Sequence, residues 1–285
     1  MAVIWEKGGQ SVNPARRWFL GGLLSLMGGC AAMRELPWPR TVPPEPQEAD
    51  LGLRYHEWSK PGHARYEGPP PDWGTQPPRY KTYPDVPRIT LPTPLEEEGG
   101  HLMAVMRARR SQRNYRDEPI SLVELGQLLF AAQGITYPPG ELRAAPSAGA
   151  LYPIELYVLA HRVTDLERGA YHYAVQTHTL ERIRAGDLRD AVSAAALGQG
   201  FIGEANVSFI LSAIFQRTRW KYRERTYRYV LLEAGHIAQN LCLAATALGL
   251  GACPVGAFFD DDLNALLELD GHNEAALYIV AVGRV

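Results

Sequence analysis

Arg109-Arg110-Ser111-Gln112-Arg113-Asn114-Tyr115 and, further along, Pro146-Ser147-Ala148-Gly149-Ala150-Leu151-Tyr152-Pro153 decide how this chain is read. The first stretch gathers guanidinium groups, whose planar forks grip phosphate through paired hydrogen bonds, around a serine hydroxyl. The second is built of small residues, so a ligand can come close to its main chain. Each has an ordinary reading as well. Arginines at a helix end are commonly solvated and meet the terminal carbonyls, and small residues before a strand make a tight turn. Taken together the two stretches suggest a flavin site.

Regular elements surround them. Ser121-Leu122-Val123-Glu124 is a capping box, followed by a helical stripe of Leu122, Leu125, Leu128 and Leu129 that ends near Gly134. Ile154 to His161 and Asn206 to Phe215 are apolar strand candidates, and Gly169–Val175 with Thr179–Ile183 has the pattern of a hairpin. Tyr227 to Leu248 is the longest helix candidate, apolar around much of its circumference, as in a core or a dimer interface, and Gly249 and Gly251 stop it. Asp260 or Asp261 can cap a short helix through Leu269, and Ala276 to Val282 makes a last strand. Strands and helices alternate without a regular βαβ repeat. The expected class is α+β, a mixed sheet flanked by helices.

The front of the chain differs. Residues 1–32 carry Arg16-Arg17, then Trp18-Phe19-Leu20 and a short glycine-rich apolar run, which resembles a twin-arginine export signal. Met27-Gly28-Gly29-Cys30 also resembles a lipobox, in which Cys30 would carry a lipid anchor. The expected location is therefore the bacterial periplasm or the outer face of the membrane. Residues 33–98 are proline-rich, with Pro69-Pro70-Pro71 and Pro77-Pro78, which opposes helix and central strand. Their tyrosines and tryptophans argue against a free linker, so this extended arm is expected to lie across a folded surface. Residues 99–285 form the remaining domain.

Composition narrows the partners. The 285 residues are 46% hydrophobic and 21% charged, with net charge −2, which gives no bulk reason to expect nucleic acid or an anionic membrane. The basic, aromatic run from Arg217 to Tyr227 has the composition that stacks on single strands, but one short patch on a near-neutral chain does not make nucleic acid the partner. Cys30, Cys242, Cys253 and the eight histidines show no zinc spacing, so no metal site is expected. His172 and His178 take ordinary core or surface roles, and Cys253 reads as a packed small hydrophobe. No Gly-x-Gly-x-x-Gly after a strand marks a dinucleotide site, so the electron donor stays unnamed.

A third segment, Leu250-Gly251-Ala252-Cys253-Pro254-Val255-Gly256, again brings small residues together. In this order the three segments resemble the nitroreductase superfamily. The stretch from Leu51 resembles its SagB/ThcOx-type dehydrogenase branch, through Tyr55-His56-Glu57, Asp72-Trp73, Gln76-Pro77, Tyr80-Lys81, Trp220-Lys221-Tyr222, Tyr227-Arg228-Tyr229, Gly235-His236 and Gln239-Asn240. The resemblance implies a homodimer holding FMN at its interface. Arg109, Ser111 and Arg113, with Arg110 as a weaker candidate, match positions that grip the phosphate. Pro146, Ser147, Ala148 and Gly149 match the loop under the ring, Pro254 and Val255 the segment on its other side, and Arg284 a further phosphate contact.

In azoline-oxidising relatives a Lys-Tyr pair transfers the proton, and Lys221-Tyr222 matches it. Hydride removal from carbon requires a base for the accompanying proton. Without the resemblance the pair reads as part of a solvated basic turn with Arg217, Arg219, Arg223 and Arg225. The expected activity is FMN-dependent hydride transfer between flavin N5 and a small organic or peptide-derived substrate. Nitro or quinone reduction is the preferred form, because export would separate the chain from the cytoplasmic partners of azoline chemistry. The alternatives are a catalytically silent flavin-binding protein and an envelope structural lipoprotein.

Overall fold

Strand Ile154–Ala160 is buried at every position, so a simple inward and outward alternation of apolar and polar residues cannot apply to it. Such a strand needs cover on both faces, and that requirement sets the architecture. A computed structural model describes residues 74–93 and 102–285. The address read in residues 1–32, with Cys30, and the arm before Gly74 lie outside the described residues.

In chain order the elements are β1 (Arg88–Thr90), α1 (Leu102–Ala108), α2 (Leu122–Gln133), β2 (Ile135–Tyr137), β3 (Leu142–Arg143), β4 (Ile154–Ala160), β5 (Gly169–Ala174), β6 (Thr179–Ala185), α3 (Arg189–Ala195), α4 (Phe201–Glu204), β7 (Val207–Ile214), α5 (Gln216–Tyr222), α6 (Thr226–Ala247), β8 (Leu250–Val255), α7 (Asp260–Leu266) and β9 (Glu274–Arg284). Seven strands form one sheet in the order β1-β6-β5-β4-β7-β9-β8, while β2 and β3 pair separately. Every pairing between named strands is antiparallel. Among the described residues, the parallel component of the expected mixed sheet is confined to the isolated bridges Ser111↔Ala252 and Ile120↔Val163.

Alternate side chains on the central strands feed two cores. Leu156 and Val158 of β4, Phe209 and Leu211 of β7, and Val280 and Val282 of β9 pack with Leu125, Leu128 and Leu129 of α2 and with Val230, Ile237 and Leu241 of α6. Their neighbours Tyr157, Leu159, Ile210, Ile279 and Ala281 face the other way, against Val192 of α3, Ile202 of α4, and Leu263 and Leu266 of α7. Helices therefore cover both faces of the sheet, giving the α+β class read from the sequence.

The capping box forms as its residues dictate. The Ser121 hydroxyl accepts from the Glu124 amide at 3.2 Å, and the Glu124 carboxylate accepts from the Ser121 amide at 2.7 Å. Three elements depart from the sequence reading. The basic run before the long helix is itself helical, as α5 and a 3-10 turn at Arg223–Arg225. The small-residue segment after α6 is the edge strand β8, because its main chain pairs with β9 from Leu250↔Arg284 to Val255↔Ile279. Helix α7 is led by Phe259 with no side-chain cap, so Asp260 serves as a first-turn acid and not as the cap.

The described part of the proline-rich stretch lies against its own chain. Pro87 and Pro92 bracket β1, which pairs with β6 at the sheet edge, where missing amide donors cost least. Among the described residues, no helix is long and apolar enough to cross a membrane.

Candidate active site

The residues singled out from the sequence fall into two groups. The first lies along β8. Ser111 bridges Ala252 in parallel, and the Gln112 amide donates to the Ala252 carbonyl at 3.0 Å, so residues 111–112 run beside the edge strand. Gly251 permits this approach, since a Cβ there would stand 2.7 Å from the Gln112 Cβ and 2.2 Å from a Val285 methyl. Among the described residues no carboxylate pairs with Arg109 or Arg113, and the Arg113 guanidinium sits 5.7 Å from the centroid of the Phe201 ring. Pro254 and Val255 continue the same strand.

Two members of this group are engaged elsewhere. Arg110 donates to the carbonyls of Arg107 and Arg109, at 3.3 and 2.6 Å, and so serves the end of α1. Arg284 forms a two-pronged pair with Glu124, 2.9 Å on each side. A phosphate contact by Arg284 requires it to leave the carboxylate that also caps α2. Cys253 is fully buried, and burial pushes its thiol up, away from the nucleophilic thiolate.

The second group gathers at the loop before β4. Gly149 has φ +64°, and a Cβ on it would lie 2.8 Å from the Tyr222 hydroxyl and 2.9 Å from Lys221 Nζ. The loop backbone thus passes directly beside the Lys221–Tyr222 pair. Ser147 Oγ accepts the Tyr152 amide at 2.9 Å, and the Ala150 amide returns to the Ser147 carbonyl at 3.1 Å. Tyr222 packs edge-on against Tyr229 of α6, with centroids 4.8 Å apart. Lys221 is exposed.

The groups do not meet within one chain. Ser111 is level with Ala252, Val282 and Val207, at the end of the sheet where β4 finishes with Ala160. The loop enters β4 at Ile154, at the opposite end. At ordinary strand spacings this is about 20 Å along the sheet and about 19 Å across it. The expectation of a pocket closed by both stretches is therefore not met by a single copy.

Sequence reading also missed a buried polar network behind the loop. Arg217, expected as a solvated cation beside the pair, is 1% exposed. Its guanidinium pairs with Glu155 and donates to the Tyr152 carbonyl at 3.1 Å and the Pro78 carbonyl at 3.0 Å. It thereby ties α5, the loop, β4 and the arm together. Glu155 also meets His172 Nε2 at 2.7 Å, while His172 Nδ1 meets Glu181 at 3.1 Å and Glu181 meets Arg88 at 3.0 Å.

Burial would raise the Glu155 carboxyl, but His172 and Arg217 hold it down at about 2. Burial likewise opposes charge on His172, yet the two carboxylates push its pKa up. Beside this, Glu274 pairs with Lys81 and accepts from Tyr157 at 2.8 Å and Ser212 at 2.7 Å. A glutamate inside the apolar run of β4 was the available signal, because a buried carboxylate needs a partner.

Two guanidinium groups that have no carboxylate partner among the described residues, beside a serine, and a loop whose glycine leaves no room for a Cβ, fit FMN at its phosphate and at its ring, respectively. Arg109, Ser111 and Arg113 would hold the phosphate. Pro146 to Gly149 from one side and Pro254–Val255 from the other would hold the ring.

A two-sided antiparallel sheet with these two loci defines an oxidoreductase domain of the nitroreductase type. The chain belongs to the nitroreductase family, whose family model matches residues 106–284. Members of this family are generally flavin-dependent oxidoreductases. The chain is similar to a candidate nitroreductase of Methanocaldococcus jannaschii, at 40% identity over 200 residues, which cover 70% of this chain and 98% of that one. It also resembles the solved structure of a candidate nitroreductase from Anabaena variabilis, at TM-score 0.63 and 33% identity, covering 72% of this chain and 43% of that one. A third relative is the microcin B17-processing protein McbC of Escherichia coli, 28% identical over 171 residues, 58% of this chain and 63% of that one. The chain thus spans less than two thirds of the last two.

Proposed function

We propose that the protein is an FMN-dependent oxidoreductase acting on a small organic or peptide-derived substrate, as a homodimer whose flavin sites each draw on both copies. The observation that carries this reading is the division of the site. Arg109 and Arg113, which have no carboxylate partner among the described residues, lie at one end of the sheet and the Gly149 loop with Lys221–Tyr222 at the other, so a ligand needing both must take one from each of two copies. Leu231 and Leu232 of α6, 49% and 57% exposed, offer apolar surface for that association.

Bound FMN supplies a two-electron, hydride-accepting ring. Arg109, Ser111 and Arg113 anchor its phosphate, and the loop amides orient its ring. Lys221 Nζ or Tyr222 Oη, beside the loop, takes the proton released when hydride leaves a substrate carbon. Oxidation of a peptide-derived azoline fits this pair and the resemblance to a microcin-processing protein. Reduction of a nitro or quinone group remains the preferred reading, supported by the nitroreductase relatives and in keeping with export. Twin-arginine export and lipid anchoring at Cys30 complete the proposal.

The test is the visible spectrum of the purified chain, titrated in turn with NADH, NADPH and dithionite. A yellow protein is expected, and bleaching by dithionite alone means that neither NADH nor NADPH is the donor and that a dedicated one is missing. Lys221→Ala should keep the colour and lose turnover. Colourless dimeric protein whose melting temperature does not rise with added FMN would overturn the reading.

A further inference from the structure

Three of the four residues from Gly149 to Tyr152 take left-handed backbone, with φ +64° at Gly149, +53° at Ala150 and +48° at Tyr152. Glycine adopts this conformation freely. For a bulky side chain it is an outlier, and a residue before a proline is ordinarily extended, so Tyr152, followed by Pro153, is strained on both counts. Such strain persists only where the surroundings over-determine the residue.

Tyr152 is held at every polar atom. Its amide donates to Ser147 Oγ at 2.9 Å, its carbonyl accepts from Arg217 at 3.1 Å, and its hydroxyl accepts the Arg143 amide at 3.0 Å. The residue is 3% exposed, and its ring centroid lies 4.5 Å from Cζ of Arg143 and 5.2 Å from Cζ of Arg79. The groups that hold it are themselves fixed, since Arg143 donates to Gln133 of α2 at 2.9 Å, Arg217 pairs with Glu155, and Arg79 pairs with Glu141 at 3.2 Å. Arg217 lies one turn before Lys221 on α5. Its bond to the Tyr152 carbonyl therefore joins the loop to the helix that carries Lys221 and Tyr222, and at Gly149 the loop meets both of those side chains. We propose that Tyr152 is a positioning residue whose anchored ring and hydroxyl hold the Gly149–Tyr152 turn in its strained form, and that this turn sets Gly149 against the Lys221–Tyr222 pair.

This inference rests on the proposed function only for the task given to that pair, and its first test needs neither flavin nor turnover. In the full-length chain, labelled selectively at glycine, lysine and tyrosine, nuclear Overhauser contacts are measured from the Gly149 α protons to Lys221 and Tyr222. Wild type should show both, because a Cβ on Gly149 would lie 3.6 Å from Lys221 Cε and 2.8 Å from Tyr222 Oη. Tyr152→Ala keeps the backbone strain without the anchors and should lose both contacts. Tyr152→Gly lacks the same anchors but takes positive φ without strain, and should recover the contacts in part. A side chain that merely filled space would make the glycine variant the looser of the two. Contacts that survive in Tyr152→Ala, or that are no stronger in Tyr152→Gly than in Tyr152→Ala, overturn the proposal. Where these variants fail to fold, Tyr152→Leu and Tyr152→Asn replace them under the same criteria, since asparagine tolerates left-handed backbone and leucine does not. In flavin-loaded enzyme, Tyr152→Ala should lower kcat about a hundredfold at nearly constant KM, and Tyr152→Gly should regain about tenfold of that loss. The expected contacts in a wild type that takes up no FMN would support the placement of the loop and count against the proposed function alone.

Discussion

Replacing Gly149 by alanine perturbs the fold and the proposed chemistry by separable amounts. The left-handed backbone at φ +64° costs an alanine roughly 1–2 kcal/mol. The new Cβ would also stand 2.8 Å from Tyr222 Oη and 2.9 Å from Lys221 Nζ, so both side chains must withdraw by about 0.5 Å or more to reach ordinary contact. Lysine yields easily, whereas Tyr222 is backed by Tyr229. The expected loss of stability is about 2 kcal/mol, a melting temperature lower by about 4–8 °C for a domain of this size. Displacement of the pair by a fraction of an ångström up to about 1 Å should reduce turnover by about a hundredfold. Gly198→Ala supplies the control, because Gly198 has φ +75° with nothing within 4 Å of its Cβ position. Calorimetry and turnover of both variants separate strain from crowding. Equal turnover in Gly149→Ala and Gly198→Ala would refute the placement of the pair over the loop.

Arg109→Ala should weaken FMN retention about tenfold to a hundredfold, the value of a charge-assisted hydrogen bond, while Arg110→Ala, whose side chain serves its own helix, should leave the dissociation constant nearly unchanged. Arg217→Met leaves Glu155 buried without its guanidinium and should cost about 3–5 kcal/mol, read as a fall of roughly 10 °C in melting temperature, with part of it recovered by adding Glu155→Gln. His161 is buried with neither ring nitrogen partnered among the described residues, and burial pulls its pKa down to about 4. Because the unfolded imidazole binds a proton more readily, the stability present above about pH 6.5 should be lost as pH falls toward 4, by up to about 3 kcal/mol. His161→Phe should flatten that window in pH-dependent unfolding, and an unchanged slope would count against a buried neutral imidazole.

What the sequence revealed and what it concealed follow from the range of the interactions. The Ser121–Glu124 box, the stripe of α2, the runs of β4 and β7 and the length of α6 were legible because each depends on neighbours a few residues away. Strand β8 was hidden, since Gly251 and Ala252 have weak strand preference and are extended by pairing with β9 and Gln112. Helix α5 was hidden because a run of arginines reads as solvated unless Arg217 is known to turn inward to Glu155, 62 residues distant in sequence. The chemistry-bearing positions were legible as segments, from Arg109 to Arg113 and Pro146 to Gly149. Their placement at opposite ends of the sheet was not, because it depends on strand order.

Lys81, Tyr83 and Arg88 reach Glu274 and Glu181 from a stretch that lies ahead of the residues matched by the family. The foldable unit therefore begins ahead of the residues that the family model matches. Trimming to residue 106 would remove β1 and strip the partners from carboxylates at the sheet. What remained would resemble its relatives closely while carrying unmatched negative charge in its interior.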